Sequence, residues 1–248
     1  MKNDVLIKEH ERVDDLHQGG LRILQSERGF HFGMDAVLLS YFADVRPGDC
    51  VADLGTGTGV IPLLLAARGT AGHITALDIQ PDVADMAARS VCMNGLQDKI
   101  TVLQGDLRVA HEQLGYNRFD VVTCNPPYER RGSGVASPIA ERAIARHEQA
   151  CTLGDVAKAA FDLLRQGGRL ALIIRADRAV DTLLALKQAR MEPKRICMVH
   201  PSAERAPNLM LVQANRGGRP GVKWDPPIFV YGPDGAETPQ LKRIYGKL

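Results

Sequence analysis

The glycine-rich stretch at residues 53–59, Asp-Leu-Gly-Thr-Gly-Thr-Gly, constrains this chain more than any other part of its sequence. An apolar run leads into it, and a second apolar run at residues 60–67 follows it. This pattern predicts a buried strand, a glycine turn and a helix. Glycines allow a tight turn and leave room for a ligand, while the free N–H groups at the start of the helix point back at the loop. The sequence therefore predicts that a small molecule binds here.

Two common nucleotide-binding loops do not match this stretch. A phosphate-binding P-loop requires a lysine after its glycines, and none follows here. A dinucleotide-binding loop requires a glycine at its sixth position, which is Val60 counted from Gly55 and Pro62 counted from Gly57. Asp53 would repel a pyrophosphate, whereas it suits a ligand that carries an ammonium group. S-Adenosylmethionine has an ammonium group, a ribose and an adenine but no phosphate, so we interpret the loop as its binding site.

Two further acids follow the next two predicted strands. Asp78 ends the strand at residues 74–78, where a ribose-binding carboxylate is expected. Asp106 follows the strand at residues 100–104, where its side chain can accept a hydrogen bond from the adenine amino group. Each acid could instead cap a helix, but three acids at successive strand ends favour the cofactor interpretation. The predicted cofactor contacts on these three segments are Asp53, Gly55, Thr56, Gly57, Gly59, Asp78, Ile79, Asp106 and Leu107.

The alternation of strands and helices after the loop predicts an α/β fold with a doubly wound sheet, whose ligand loops lie at the carboxyl ends of the strands. The predicted helices after the loop include one that Pro81 opens, one that Thr152 caps and one at residues 179–189. Strands at residues 196–199 and 209–212 are joined by a link too short for a helical crossover, so they are predicted to pair antiparallel.

The lead-in before the loop is predicted to form a hairpin and a helix. Residues 1–17 are polar and are expected to be loose at the start. Partly alternating runs at residues 21–24 and 30–32 flank a turn at residues 26–29, which predicts the hairpin. Asp35 is then placed to cap a helix through residues 36–42.

Composition excludes several classes of protein. The 248 residues, 45% of them hydrophobic, are enough for one large domain. There is no run of about 18 apolar residues to span a membrane, and the charged N-terminus lacks an apolar signal core, which predicts a cytoplasmic protein. The five cysteines are scattered without a Cys-x-x-Cys pair, so neither a metal site nor a disulfide framework is predicted.

The charge is unevenly distributed along the chain. Residues 186–248 carry 11 Lys and Arg against 5 Asp and Glu, although the whole chain has a net charge of only +2. A basic final quarter indicates a surface for an anionic partner. A solvated surface without a partner is the alternative interpretation.

The strand predicted at residues 119–124 runs directly into Asn125-Pro126-Pro127-Tyr128. Two prolines cannot continue a central strand, so the chain must leave the sheet stiffly here. The Asn125 amide oxygen and a neighbouring backbone carbonyl can then accept both hydrogens of an exocyclic amine, and Tyr128 can stack on the base. A plain turn with an Asn cap is the alternative. Beside the cofactor loop, the motif predicts methyl transfer to an amine by positioning, with Asn125, Pro126 and Tyr128 as catalytic residues.

These motifs resemble those of class I S-adenosylmethionine-dependent methyltransferases that methylate amino groups. More particularly, the chain resembles the bacterial tRNA (adenine-N6) methyltransferases that modify valine tRNA beside the anticodon. The stretches that carry this resemblance are residues 11–16, 29–39, 53–59, 125–128, 145–148 and 200–201.

The resemblance implies a Rossmann-like fold, with a seven-stranded, mostly parallel sheet, helices on both faces and an antiparallel last strand. It also implies that residues 1–46 cover the cofactor site, where Phe32, Asp35 and Asn125 contact S-adenosylmethionine. Residues 47–215 are expected to form the methyltransferase core, and residues 216–248 a basic tail packed on it. The expected partner is tRNA, with adenine-37 as the target and no membrane or metal involved.

Basic residues after the reacting motif are the predicted RNA contacts. A base in a single-stranded loop can be splayed out at low cost, and its flanking phosphates then need nearby cations. The predicted RNA-binding residues are Arg130, Arg131, Arg142 and Arg146. A second group is expected to hold the stem if the fold brings it to the same side, and it comprises Lys194, Arg195, Arg216, Arg219 and Lys223.

Other activities share parts of this pattern. Glutamine-N5 methyltransferases of release factors use the same Asn-Pro-Pro-Tyr but carry a separate helical domain in front, and guanine-N2 methyltransferases of rRNA share related motifs. A DNA adenine methyltransferase needs a target-recognition domain for which few residues are left. Cys124 raises the possibility of a thiol nucleophile, although a small residue filling a strand end is the simpler interpretation. A non-catalytic RNA-binding scaffold is disfavoured by the intact Asp53 and Asn125.

Overall fold

The structure is a computed structural model that describes residues 7–27, 33–126 and 151–247. Its centre is a mixed sheet of seven longer strands in the order β5-β4-β3-β6-β7-β9-β8. These strands are β3 (Cys50–Leu54), β4 (His73–Asp78), β5 (Ile100–Gln104), β6 (Phe119–Cys124), β7 (Leu164–Arg175), β8 (Met191–His200) and β9 (Leu209–Arg216). Two short strands, β10 (Lys223–Trp224) and β11 (Ile228–Phe229), pair in parallel with the outer edge of β8.

Only β9 runs antiparallel to its neighbours among these strands, and it pairs with β7 on one side and with β8 on the other. The predicted doubly wound, mostly parallel sheet with an antiparallel last strand is therefore confirmed, as is the antiparallel pairing across the link at residues 201–208. The two short strands extend the predicted seven to nine.

Helices cover both faces of the sheet. They are α1 (Met34–Phe42), α2 (Val60–Ala67), α3 (Pro81–Met93), α4 (Ala110–Leu114), α5 (Leu153–Leu163), α6 (Ala179–Gln188) and α7 (Pro239–Ile244), with 3-10 turns at Leu107–Val109 and Ala176–Arg178. One buried cluster joins the sheet to α1, α2 and α7, through Val37, Leu64 and Leu241 among others. The second joins it to α5 and α6 on the other face, through Val156 and Leu186.

The helix boundaries follow from local capping. At α5, the Thr152 hydroxyl accepts a hydrogen bond from the Asp155 N–H, and the Asp155 carboxylate accepts from the Thr152 N–H, which is the predicted capping box. At α1 the prediction is wrong, because the helix begins at Met34 with Gly33 as its N-cap, and Asp35 lies in its first turn. The strand after α5 also begins at Leu164, earlier than predicted.

The N-terminal hairpin differs from the predicted one. Strand β1 (Glu11–Asp15) pairs antiparallel with β2 (Arg22–Ser26), so residues expected to be loose form its first strand. Apolar alternation could not reveal β1, because Val13 is its only apolar residue. The predicted partner run at residues 30–32 lies outside the described residues. Within residues 7–27, 33–126 and 151–247, no helix has the length and apolar character needed to cross a membrane.

Candidate active site

The predicted site residues that follow β3, β4, β5 and β6 lie at one edge of the sheet, because these strands are parallel and share one carboxyl edge. The register pairs Leu54 with Leu77 on one side and with Cys124 on the other. Neighbouring strands lie about 4.8 Å apart. The glycine loop after β3 therefore lies between Asp78, at the end of β4, and Asn125, directly after β6.

The glycine loop combines left-handed backbone with open space. Gly55, Gly57 and Gly59 have φ angles of 67°, 58° and 89°, which side chains with a Cβ disfavour. A Cβ built at Gly55 or Gly57 would meet no heavy atom within 4 Å, whereas one at Gly59 would lie 3.2 Å from the Ala87 Cβ. The first two glycines thus leave room above the loop, and the third allows α2 to approach α3.

Asp53 is fully buried below this loop. Its Oδ1 accepts a 2.6 Å hydrogen bond from the Thr123 hydroxyl, while its Oδ2 and the buried Thr56 hydroxyl make no well-aligned hydrogen bond in the described part of the chain. Burial raises the pKa of Asp53 from 3.8 to about 7, although the Thr123 and Thr56 hydroxyls oppose this shift, and the nearby Asp78 carboxylate adds to it. These unsatisfied oxygen atoms, beside an open glycine cradle, fit a ligand that brings an ammonium group.

Asp78 supports the loop from the neighbouring strand. Its Oδ2 accepts from the Gly57 N–H at 2.8 Å, and its Oδ1 accepts from the Gln80 N–H at 3.0 Å. A carboxylate oxygen can accept more than one hydrogen bond, so both oxygens keep capacity for ribose hydroxyls. The next residue, Ile79, is 40% exposed although it is apolar, and it therefore offers a surface at the same edge.

Asp106 caps the 3-10 turn after β5 and is engaged by an arginine that the sequence analysis did not single out. The carboxylate accepts from the Arg108 backbone N–H at 2.9 Å and pairs with the Arg108 guanidinium at 2.5 Å. These contacts lower the pKa of Asp106, so it stays ionised and able to accept from an adenine amine. Leu107 is half-buried between them. An arginine two residues after the acid is the signal that could have indicated this pair.

The reacting motif begins at the same edge. Asn125 and Pro126 are half-buried where the chain leaves β6. Asp35 is half-buried in the first turn of α1. Burial raises the pKa of the Cys124 thiol well above its usual value, which makes it a poor nucleophile and weighs against the thiol mechanism. The remaining predicted residues of the site lie outside the described residues, and they are Phe32, Tyr128, Arg130, Arg131, Arg142 and Arg146.

The second basic group lies on the far strands of the sheet, away from the glycine loop and Asn125. Through the registers of β9 and β7, Arg195 in β8 is level with Thr123 of β6, and Lys223 is its neighbour on β10. Four strand spacings separate β10 from β6, which is roughly 19 Å across the sheet. Lys194 donates to the Arg219 carbonyl oxygen. Arg216 donates to the carbonyl oxygen of Leu164, where β7 begins. Six residues of β6 separate the two edges of the sheet, which is roughly 20 Å. In the described residues, no group of three or more His, Cys, Asp or Glu side chains is arranged to hold a metal.

Comparison with known proteins places this architecture in a family. The family model of the methyltransferase small domain matches residues 26–193. A protein of Porphyromonas gingivalis named tRNA1(Val) (adenine(37)-N6)-methyltransferase is 32% identical over 185 residues, or 72% of each chain. A protein of the same name from Phocaeicola vulgatus is 34% identical over 181 residues, or 73% of this chain and 74% of the relative.

Solved structures agree with this result. A crystal structure from Agrobacterium tumefaciens, described as a predicted O-methyltransferase, superposes with a TM-score of 0.69 at 26% identity, covering 86% of this chain and 96% of that one. The resemblance inferred from the glycine loop and the Asn-Pro-Pro-Tyr motif is confirmed. The chain belongs to the methyltransferase small domain family, in the group that includes bacterial proteins named tRNA1(Val) (adenine(37)-N6)-methyltransferase.

Proposed function

We propose that this protein transfers the methyl group of S-adenosylmethionine to the N6 amine of an adenine in tRNA. The observation that carries the proposal is the neighbouring position of two strand ends. Strand β3 leads into the glycine loop below which Asp53 is buried, and its partner β6 leads into Asn125-Pro126. A cofactor held on the loop would therefore have its reactive end beside the residues that hold an amine.

The residues around the loop offer partners for the ammonium group, the ribose and the adenine of the cofactor. Asp53 and Thr56 suit the ammonium group, Asp78 the ribose hydroxyls and Asp106 the adenine amine. We infer that Ile79 and Leu107 contact the flat faces of the adenine, with Asp35 and Phe32 nearby on the covering segment. When bound, S-adenosylmethionine supplies a methyl group activated by its sulfonium.

Asn125 and Pro126 orient the acceptor. The Asn125 side-chain oxygen and the Pro126 carbonyl oxygen accept hydrogen bonds from the two hydrogens of the amine, which aims its lone pair at the methyl group. Pro126 lacks an N–H and has a fixed φ, so this carbonyl is held stiffly. No strong base is required, since the amine becomes acidic only after it is methylated. Tyr128 would stack on the adenine ring.

The names of the relatives support adenine-37 of valine tRNA as the target. A base beside the anticodon lies in a single-stranded loop and is accessible without opening a duplex. We propose that the arginines that follow Tyr128 in sequence bind the flanking phosphates, and these are Arg130, Arg131, Arg142 and Arg146.

Mass spectrometry of nucleosides tests this function. Total tRNA from a strain that lacks the gene should lose N6-methyladenosine at one position of valine tRNA, and the purified protein with S-adenosylmethionine should restore it. A transcript with guanosine at position 37 is the matched control and should remain unmethylated. An unchanged tRNA profile together with undermethylated release factor, or with loss of N2-methylguanosine from rRNA, would replace the proposal by one of these alternatives.

A further inference from the structure

A glutamine in the N-terminal hairpin has no polar partner. Gln25 lies in β2 and is 0% exposed, yet neither its Nε2 nor its Oε1 has a hydrogen-bond partner within the described ranges. Burying an unpaired amide is costly, so such groups are rare in folded proteins and call for an explanation. A ligand that supplies the missing partners is one explanation, provided that the side chain faces a ligand site.

The hydrogen bonds between the hairpin and α3 show where each hairpin residue lies along the axis of α3. Near the C-terminal end of α3, the Arg22 N–H donates to Asn94 Oδ1 at 3.0 Å. One turn towards the helix N-terminus, the Leu24 N–H donates to the Ser90 hydroxyl at 2.9 Å. Two strand residues thus advance along four helix residues, in keeping with about 3.3 Å per strand residue and 1.5 Å per helix residue. Gln25 therefore lies nearer to the N-terminal half of α3 than Ser90 does.

That part of α3 contacts the cofactor loop. Ala87 is one turn before Ser90, and it is the residue that a Cβ at Gly59 would meet at 3.2 Å. Gln25 is therefore level with the end of the glycine loop along the axis of α3.

The side chain faces inward at this level. Side chains alternate along a strand, so Gln25 shares a face with Ile23 and not with Leu24. Ile23 belongs to the buried cluster formed with α1 and the start of α2, including Val37 and Val60, whereas Leu24 does not. The amide of Gln25 thus extends towards the interior where α2 begins at the glycine loop.

The proposed cofactor has one group for which the described part of the site offers no charged partner. Its α-carboxylate requires hydrogen-bond donors, but the loop is framed by acids. Arg89 on α3 and Arg108 after β5 already have acidic partners. Arg89 pairs with Glu11 and Asp85, and Arg108 pairs with Asp106. The α-carboxylate then needs a neutral hydrogen-bond donor, placed beside the N-terminus of α2.

We propose that Gln25 binds the amino-acid end of the cofactor, with Nε2 donating to the α-carboxylate and Oε1 accepting from the ammonium group. This inference rests on the proposed function and adds a residue of the hairpin to the binding site. It gives the hairpin a role in recognising an α-amino acid group, as distinct from the nucleoside.

Calorimetric titration with two ligands tests the role. S-Adenosylhomocysteine carries the amino-acid end, whereas 5′-methylthioadenosine has the same nucleoside and sulfur without it. In the full chain, Gln25→Leu should weaken S-adenosylhomocysteine binding by about 10-fold or more, the scale for losing hydrogen bonds to a charged group, and should change 5′-methylthioadenosine binding by less than about 3-fold. The unliganded Gln25→Leu protein should melt at a higher temperature, because the unpaired buried amide is gone.

A second buried glutamine provides the matched control. Gln213 in β9 is 8% exposed, and its Nε2 donates to Asn215 Oδ1. Gln213→Leu should leave the affinities for both ligands unchanged. Gln25→Glu, which keeps the shape but places a negative charge beside the carboxylate, should reproduce the selective loss if Gln25→Leu does not fold.

The outcomes separate this inference from the proposed function. Wild-type protein that binds neither ligand overturns both. Wild-type protein that binds S-adenosylhomocysteine, with unchanged affinity in both Gln25 variants, overturns the inference alone. Equal loss of both ligands would show a structural role for Gln25, and a loss of tRNA binding with normal cofactor affinity would assign Gln25 to the substrate; either result overturns the inference.

Discussion

At the scale of single residues, Asp53 is the most unusual group of the described chain. Its carboxyl group has no exposed surface, accepts one hydrogen bond and lies near a second acid, and its pKa is raised to about 7. Perturbed acids of this kind concentrate at functional sites. Ionising Asp53 is costly in the unliganded protein, and the proposed pairing with an ammonium group offsets this cost when the cofactor binds.

The raised pKa of Asp53 predicts a particular dependence of stability on pH. Because the folded pKa is about 7 and the unfolded value is 3.8, the contribution of Asp53 to stability is fully present below pH 3.8 and is lost as the pH rises through 7. Asp53→Asn removes this loss. Urea unfolding should therefore show the variant gaining about 2–3 kcal/mol relative to wild type between pH 5 and pH 8.

The same substitution should weaken S-adenosylmethionine binding at pH 8, because a neutral amide replaces the charged partner of the ammonium group. Thermal-shift measurements with and without the ligand provide this second readout. Stability curves of wild type and Asp53→Asn that run parallel from pH 5 to pH 8 would contradict the assigned titration.

Asn125 is predicted to act on turnover and not on cofactor affinity. Its amide is proposed to hold the amine in the reactive pose, so Asn125→Ala should lower kcat for tRNA methylation about 10²-fold or more, the effect of losing one preorganised polar contact. The affinity for S-adenosylhomocysteine should change little. Cys124→Ala, one residue earlier, is the control and should remain active. Normal methylation by Asn125→Ala would remove the residue from the mechanism.

At the scale of elements, the glycine loop and the hairpin are each held by a few long-range contacts. Asp78 on β4 receives the Gly57 N–H, so the loop is supported by a strand other than its own. The hairpin is attached to α3 through Arg89, which pairs with Glu11 at 2.5 Å and with Asp85 at 2.9 Å. Glu11 and Arg89 are only 9% and 13% exposed, which makes this pair stronger than a surface ion pair.

Gly57→Val tests the loop as a cofactor cradle. The new side chain would occupy the open space above the loop and would also strain a backbone with φ of 58°. Gly95→Val is the matched control, because Gly95 has φ of 66° and open space too, but it ends α3 away from the carboxyl edge of the sheet. Both variants should melt at lower temperature than wild type. Only Gly57→Val should lose the stabilisation that S-adenosylmethionine confers by mass action; a retained shift would show that the ligand binds elsewhere.

Arg89→Met tests the attachment of the hairpin. Without the guanidinium, Glu11 and Asp85 lose their shared partner, and the hairpin should open more often. Hydrogen exchange of the Leu24 N–H, which donates to Ser90, should then become at least about 10-fold faster, while amides in β6 exchange at the wild-type rate. Unchanged protection of Leu24 would mean that the remaining contacts hold the hairpin without Arg89; these include the Lys8–Asp85 ion pair and the hydrogen bonds to Ser90 and Asn94.

At the scale of the whole molecule, two regions of the sheet have different tasks. The carboxyl ends of β3 to β6 carry the proposed cofactor and amine sites. Strands β8 to β10, at the far side of the sheet, carry basic residues that bind carbonyl oxygens and acids of the chain itself. Among them, Arg195 pairs with Asp225 and lies over the Phe42 ring. The basic C-terminal quarter thus has a structural use, and its charge alone does not locate the RNA.

Charge reversal after the reacting motif and charge reversal on the far strands of the sheet are predicted to have different effects on tRNA binding. Arg131 is six residues after Asn125, so it is within about 22 Å of that residue even if the chain is fully extended. Arg130→Glu with Arg131→Glu should weaken tRNA binding and reduce the salt dependence of the affinity by about one phosphate contact per arginine. Cofactor binding should be intact.

Lys194→Glu with Lys223→Glu makes the same change in net charge on β8 and β10, at the far side of the sheet, and is the control. At physiological salt, charges roughly 20 Å away are screened, since the Debye length is about 8 Å. This pair should therefore leave the tRNA affinity and its salt dependence near the wild-type values. If the lysine pair has the larger effect, the RNA docks on β8 and β10.

The sequence by itself determined the features that depend on neighbouring residues. These local patterns are the glycine spacing, the acids after successive apolar runs and the Asn-Pro-Pro-Tyr turn. They were sufficient to predict a doubly wound, mostly parallel sheet, the family and a candidate site. The strand at Glu11–Asp15 was not predicted, because it is stabilised by pairing with β2 and has little apolar content of its own.

Only the tertiary structure decided the properties that depend on distant residues. Burial in the surrounding core raises the pKa of Asp53, and α3 brings Gln25 level with the glycine loop. The topology also places Lys194 and Lys223 on strands at the far side of the sheet from β6. Burial and position in the sheet arise from packing between segments far apart in the chain, and no local pattern of residues encodes them.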